Sequence, residues 1–117
     1  MTEVRFNRGK KYFSLIVTGH AYGGEKGKDL VCGSVSTLVY TLSQYLSVSK
    51  KRKMLKKAPV IELESGKAVI ICKPKKNMQN YIIEAFTVIQ SGFALLAAEY
   101  PDNITLYVDN VKMTLSS

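Results

Sequence analysis

Between Met78 and Ala98 the chain carries a single charged residue, Glu84, while Ile82, Phe86, Ile89, Phe93 and Leu96 recur at intervals of three and four. That period marks one face of an α-helix, and the scarcity of charge elsewhere leaves little of the segment suited to water. A helix apolar over much of its circumference must be sandwiched in the core or covered by a second subunit. A chain of 117 residues has limited inner space, so a homodimer with this helix at or near the interface is expected.

The other segments supply the layer that such a helix needs. Val4 to Phe6 and Tyr12 to Thr18 are β-branched and aromatic, and Asn7-Arg8-Gly9-Lys10 between them has the composition of a hairpin turn. Phe13, Leu15 and Val17 alternate with Ser14, Ile16 and Thr18, which puts one apolar face on the second strand. Val31, Val35, Leu38, Leu42 and Tyr45, with Val39 and Leu46 beside them, trace a helical stripe to about Val48, with Asp29 as its N-cap. Val60 to Leu63, the turn Ser65-Gly66, and Ala68 to Cys72 read as a second hairpin ended by Pro74, and Ile104 to Val108 as a fifth strand. The expectation is one α+β domain over residues 1–117 with the order β-β-α-β-β-α-β, a mainly antiparallel sheet packed with two helices.

No apolar stretch reaches the ~18 uncharged residues of a membrane span and the N-terminus has no signal-peptide core, so no membrane is expected and the cytoplasm is the expected location. The net charge is +8, and it is unevenly held. Residues 1–58 carry 12 Lys and Arg against 3 Asp and Glu, and residues 59–117 carry 5 against 6. Lys50, Lys51, Arg52, Lys53, Lys56 and Lys57 concentrate the excess, with Lys73, Lys75 and Lys76 as a smaller group. Such runs either solvate a connector or contact phosphates, as in a ribosome or RNA contact. No aromatic residue interleaves them, so base stacking is not indicated.

The only histidine, His20, ends an apolar strand in Gly19-His20-Ala21, and a glycine-rich loop carries the chain on to Asp29-Leu30-Val31-Cys32. Cys32 would then lie in the first turn of a helix, where unsatisfied amides favour a thiolate. An imidazole facing such a cysteine is the pairing that nucleophilic thiol catalysis requires. The small polar neighbours Gly33, Ser34 and Ser36 leave space over that turn, and the amides near Cys32 and Gly33 are candidate oxyanion donors. Asp29 either caps the helix or orients the histidine. Cys72, among Val69, Ile70 and Ile71, reads as core. One histidine and two distant cysteines make no zinc spacing, and Gly23-Gly24-Glu25-Lys26-Gly27-Lys28 is no P-loop.

The ordered set Gly19-His20-Ala21, Gly27-Lys28-Asp29-Leu30-Val31-Cys32 and Val35-Ser36 resembles the signature of the bacterial ribosomal-processing cysteine proteases of the Prp family. Length and element order are similar as well. Many relatives carry two alanines where this chain has Gly33-Ser34. The resemblance implies a homodimeric cytoplasmic endopeptidase without a cofactor, which removes the short N-terminal extension of a ribosomal protein precursor, that of large-subunit protein twenty-seven. By the same resemblance Cys32 is the nucleophile, His20 the general base and acid, Asp29 a supporting acid, and Gly19, Gly27, Gly33 and Ser36 supporting motif positions. The alternative from the residues alone is a non-catalytic ribosome-associated binding module that uses the basic half and packs Cys32 in a helix.

Overall fold

The computed structural model describes residues 1–19 and 28–114, with the backbone alone for Lys28 and Asp29. Its strands are β1 (Thr2–Arg8), β2 (Phe13–Thr18), β3 (Val60–Glu64), β4 (Lys67–Cys72), β5 (Ile104–Val108) and β6 (Val111–Lys112). The helices are α1 (Lys28–Lys51) and α2 (Gln79–Glu99), the second entered through a short 3-10 turn at Lys76–Met78. The strands form one sheet in the order β3-β4-β2-β1-β5-β6. All neighbours are antiparallel except β1 and β5, which run parallel.

The period-two pattern of the strands sets how this sheet is covered. Phe6 pairs with Leu15 and Leu15 with Ile70, while Val4 pairs with Val17 and Val17 with Ala68. Each of these side chains is buried, so their common parity collects the core on one face of the sheet. Both helices pack there. α2 buries Ile82, Phe86, Ile89, Phe93 and Ala97. Phe6 meets Phe86 and Phe93 at centroid separations of 6.4 and 5.8 Å, both edge to face, and Phe13 lies 5.8 Å from Phe86. These offset arrangements suit the ring quadrupoles. Where the helices meet, a Cβ at Gly92 would come within 2.7 Å of the Leu38 side chain, so the missing side chain admits Leu38.

The connections follow from the sheet order. β2 leads through α1 to β3, and β4 leads through α2 to β5, so each helix spans a gap between parallel strands, filled by β4 in the first case and by β2 and β1 in the second. A parallel pairing cannot be closed by a tight turn and needs such a crossover. The segment Lys76–Glu99 is long and apolar enough, by length and composition, to cross a membrane, beyond what the count of uncharged residues suggests. Its buried stripe lies on the sheet, the arrangement of a helix that covers a core.

Several expectations shift. The sixth strand, β6, is additional: Asp109 and Asn110 both take positive φ (49° and 66°) between the paired Val108 and Val111, the geometry of a two-residue hairpin. α1 takes in Lys28, so Asp29 is its second residue rather than its N-cap, and the helix continues past Val48 to include Lys50 and Lys51 in its last turn. Along α1 the buried line runs through Val31, Val35, Val39, Leu42 and Leu46, while Tyr45 is exposed. On α2, Tyr81, Val88 and Leu95 face outward, each more than three-fifths exposed. An apolar groove of about 520 Å³ runs between the helices past Tyr45, Tyr81, Val88 and Ile89. The single subunit thus leaves part of α2 uncovered.

Candidate active site

Cys32 is the fifth residue of α1, one residue past the first turn, and is half-buried against the core. Four residues on, Ser36 lies on the same helical face, and both line a cleft of about 390 Å³. Val35, Val39 and Tyr40 continue that helical wall, Thr2, Val17 and Gly19 form the sheet side, and the β3–β4 hairpin from Leu63 to Ala68 closes the far side. The cleft therefore sits at the end of the sheet where β1 begins and β2 finishes.

Gly19 is held there for two reasons. Its φ is +91°, a conformation that side chains with a Cβ rarely adopt, and a Cβ built on it would collide with the carbonyl oxygen of Met1. Its N–H donates to the Gly66 carbonyl at 2.9 Å, tying the end of β2 to the hairpin across the cleft. His20 follows immediately, so the chain enters its histidine from a fixed point on the cleft rim. Residues 20–27, which include His20, Gly27 and the glycine-rich loop, lie outside the described residues, as does the Asp29 side chain.

The helical setting of Cys32 corrects one expectation. In a helix that starts at Lys28, the Cys32 and Gly33 amides bond to the carbonyls of Lys28 and Asp29, four residues earlier. Only the first-turn amides remain unpaired by the helix, so the Cys32 and Gly33 amides are not free oxyanion donors. Ser36 offers a different group. Thr37, Thr41, Ser43, Ser47 and Ser49 each donate to the carbonyl one turn back, whereas the Ser36 hydroxyl has no hydrogen-bond partner among the described residues. It is exposed in the cleft and available to a ligand. Gly33 points away into open space and does not line the cleft.

Cys72 is core, as its apolar neighbours suggest. It is 2% exposed, and burial pushes its thiol up to about 12, against a smaller opposing effect of a backbone hydrogen bond with Phe13. Sequence reasoning missed the cleft's far wall and its floor at Thr2. Ser65-Gly66 carries only a turn signal, and nothing in it foretells that the turn meets Gly19. The cation run lies elsewhere: Lys50 and Lys51 end α1, at about 27 Å of helix from Cys32 by the rise per residue.

The fold has close counterparts among solved structures. A protein of Streptococcus mutans, SMU.848, is 24% identical, with 92% of this chain and 93% of that one covered and a TM-score of 0.66. The essential ribosomal processing protease Prp of S. aureus, solved with a substrate peptide, is 18% identical over 92% of this chain and 99% of that one, with a TM-score of 0.66. Its complex with a covalently linked product peptide gives 19% identity, the same coverage and a TM-score of 0.65. No curated protein matches the chain significantly. The family model for the cysteine protease Prp matches residues 1–105, nearly the whole chain, and with a cysteine in a cleft at the sheet's end this protein belongs to the Prp family of cysteine proteases.

Proposed function

We propose that this protein is a cytoplasmic bacterial endopeptidase that removes the N-terminal extension from the precursor of large-subunit ribosomal protein twenty-seven, with Cys32 as nucleophile and His20 as general base and acid. One observation carries the assignment of the dyad: Cys32 lines the cleft that opens beside Gly19, the residue that precedes His20. The substrate class is supported by the family match and by the likeness to a ribosomal processing protease solved with a substrate peptide.

In the mechanism, the His20 imidazole takes the Cys32 proton and the thiolate adds to the scissile carbonyl. The tetrahedral oxyanion collapses with cleavage of the C–N bond as the imidazolium returns its proton to the departing amine. A thioester to the N-terminal fragment remains. His20 then deprotonates water, which adds to the thioester, and the proton returns to the Cys32 sulfur as the acid product leaves. The Ser36 hydroxyl, one turn beyond the sulfur, donates to a carbonyl of the bound chain. Asp29, in the first helical turn, is a supporting acid for His20, and Gly27 is a supporting motif position ahead of it. An extended peptide lies between α1 and the β3–β4 hairpin, within the span of the cleft.

The outward apolar residues of α2 support a homodimer through the α1–α2 groove, with Tyr81 and Val88 covered by the second copy. The run Lys50, Lys51, Arg52, Lys53, Lys56 and Lys57 is a separate contact for RNA.

The experiment is mass spectrometry of the ribosomal precursor from the same organism after incubation with the protein, beside Cys32→Ala and His20→Ala. One defined cut, absent with both variants while each keeps its fold, is the expected result. A cut that persists with Cys32→Ala removes Cys32 as nucleophile, and an intact precursor with the parent enzyme removes the substrate.

A further inference from the structure

Three segments far apart in sequence converge at the end of the sheet opposite the cleft. The β1–β2 turn brings Arg8, Lys10 and Lys11, and the register places Arg8 and Phe13 level with Cys72. The residues after α1 are tied to the residues after β4: the Lys56 N–H donates to the Lys73 carbonyl at 2.8 Å, the Lys75 N–H donates to the Met54 carbonyl at 2.9 Å, and Leu55 bridges Pro74. Tyr12 joins the groups, with the ammonium nitrogens of Lys57 and Lys73 each 5.3 Å from its ring centroid. The aromatic residue that the linear run lacks is thus supplied by the β1–β2 connection.

Together with Lys50 and Lys51 in the last turn of α1, these segments hold twelve of the chain's 17 Lys and Arg and contain no Asp or Glu. Asp109 reaches this end from the β5–β6 turn, where its carboxylate accepts from the Arg8 N–H at 2.8 Å. Among the described residues the one ion pair is between Arg5 and Glu3, outside the cluster. Ten of these cations are exposed and Lys73 and Lys75 are half-buried, and none has a carboxylate partner among the described residues. A dense, unpaired array costs self-repulsion, and a polyanion relieves it.

We propose that this end of the molecule is a binding surface for the phosphate backbone of duplex RNA, and that it works while the cleft at the other end holds peptide. The choice of RNA rests on the reading of the protein as a ribosomal-processing enzyme. The choice of phosphates rests on the surface itself. Membrane contact calls for an apolar face beside the cations, and the one large apolar residue that these segments expose is Tyr12, a single ring flanked by the Lys57 and Lys73 ammonium groups. A single ring is no platform for stacking successive bases, and recognition is independent of sequence. Simultaneous occupancy follows from distance: strands of six or seven residues separate the two ends by about 20 Å.

The test is fluorescence anisotropy with a labelled RNA hairpin, run across salt, for the parent protein and for Lys10→Glu/Lys56→Glu/Lys76→Glu, one exposed cation from each segment. With about six phosphate contacts, affinity falls by about 10³ between about 50 and 200 mM salt, and the reversal makes the salt slope about three units shallower. Replacing the same three residues by Gln gives an intermediate loss, and thermal denaturation shows that each variant is folded. Peptide cleavage at saturating RNA keeps its rate. The proposal is overturned by no binding at 50 mM salt, by parent-like binding in the reversed variant, by poly-glutamate or anionic vesicles matching the RNA, or by RNA that competes with peptide. Anisotropy requires no turnover, so a failed substrate assignment and a failed RNA surface are read separately.

Discussion

Replacing Gly19 by alanine tests the link between backbone geometry and catalysis. At φ +91° an L-residue carries strain of about 1–2 kcal/mol. The added Cβ also overlaps the Met1 carbonyl oxygen, a backbone atom that no rotamer change moves away. Thr2, the next residue, is anchored by its N–H to the Asn103 carbonyl at 2.8 Å and paired in β1 with Ile104. Relief therefore requires the chain at Gly19 to shift, at a further cost of about 1–3 kcal/mol by analogy with overpacking. A total of about 2–5 kcal/mol lowers Tm by roughly 10–20 °C for a domain of this size. The activity loss is larger than instability explains, because the shift carries His20 with it and a displacement of ~1 Å at a reacting group costs ~10²-fold. The assay is thermal denaturation followed by circular dichroism, with kcat/KM for the precursor measured well below both midpoints. A Tm within 2 °C of the parent (about 0.5 kcal/mol) together with unchanged kcat/KM refutes the reasoning. Gly33→Ala is the contrasting case: its Cβ meets nothing within 4 Å, so the helix gains about 0.5–1 kcal/mol, and a lower Tm would contradict the helical conformation at that residue.

The remaining outcomes concern core, thiol and interface. In the unfolded chain Cys72 releases its proton near 9, and in the fold near 12. Between those values the unfolded state holds fewer protons, so stability falls as pH rises, by about 1.4 kcal/mol per unit from this group. Denaturant titrations from pH 8 to 11 show this slope in the parent and lack it in Cys72→Ala; equal slopes would count against the burial of Cys72. Phe93→Ala, at a fully buried ring packed on Phe6, loses about 3–5 kcal/mol in the same titrations, and a loss under 1 kcal/mol would show that the ring is not enclosed. Val88→Asp places a charge on the outward face of α2, and sedimentation is expected to change from dimer to monomer. A parent that is already monomeric at micromolar concentration rejects the interface.

Local pattern made much of the architecture legible in advance. Alternation identified Phe13, Leu15 and Val17 as a buried face, and the spacing of Ile82, Phe86, Ile89 and Phe93 identified the stripe that α2 lays on the sheet. These succeed because a side chain's direction along a strand or helix follows from backbone periodicity alone. Boundaries fared less well: α1 extends to Lys51 past the last apolar residue, since polar residues continue a helix as readily as they end one. The two-residue turn at Asp109-Asn110 went unread because β6 is too short to show alternation.

The sequence by itself determined the element order, the one-sided core and the position of Cys32 on a helix that follows Gly19 and His20, because each of these depends on neighbours along the chain. Only the tertiary structure decided that β5 pairs in parallel with β1, that the Ser65-Gly66 turn walls the cleft, and that three cation groups meet around Tyr12. Those are contacts between residues tens of positions apart. They are set by which faces must be buried together, and no local periodicity encodes that choice.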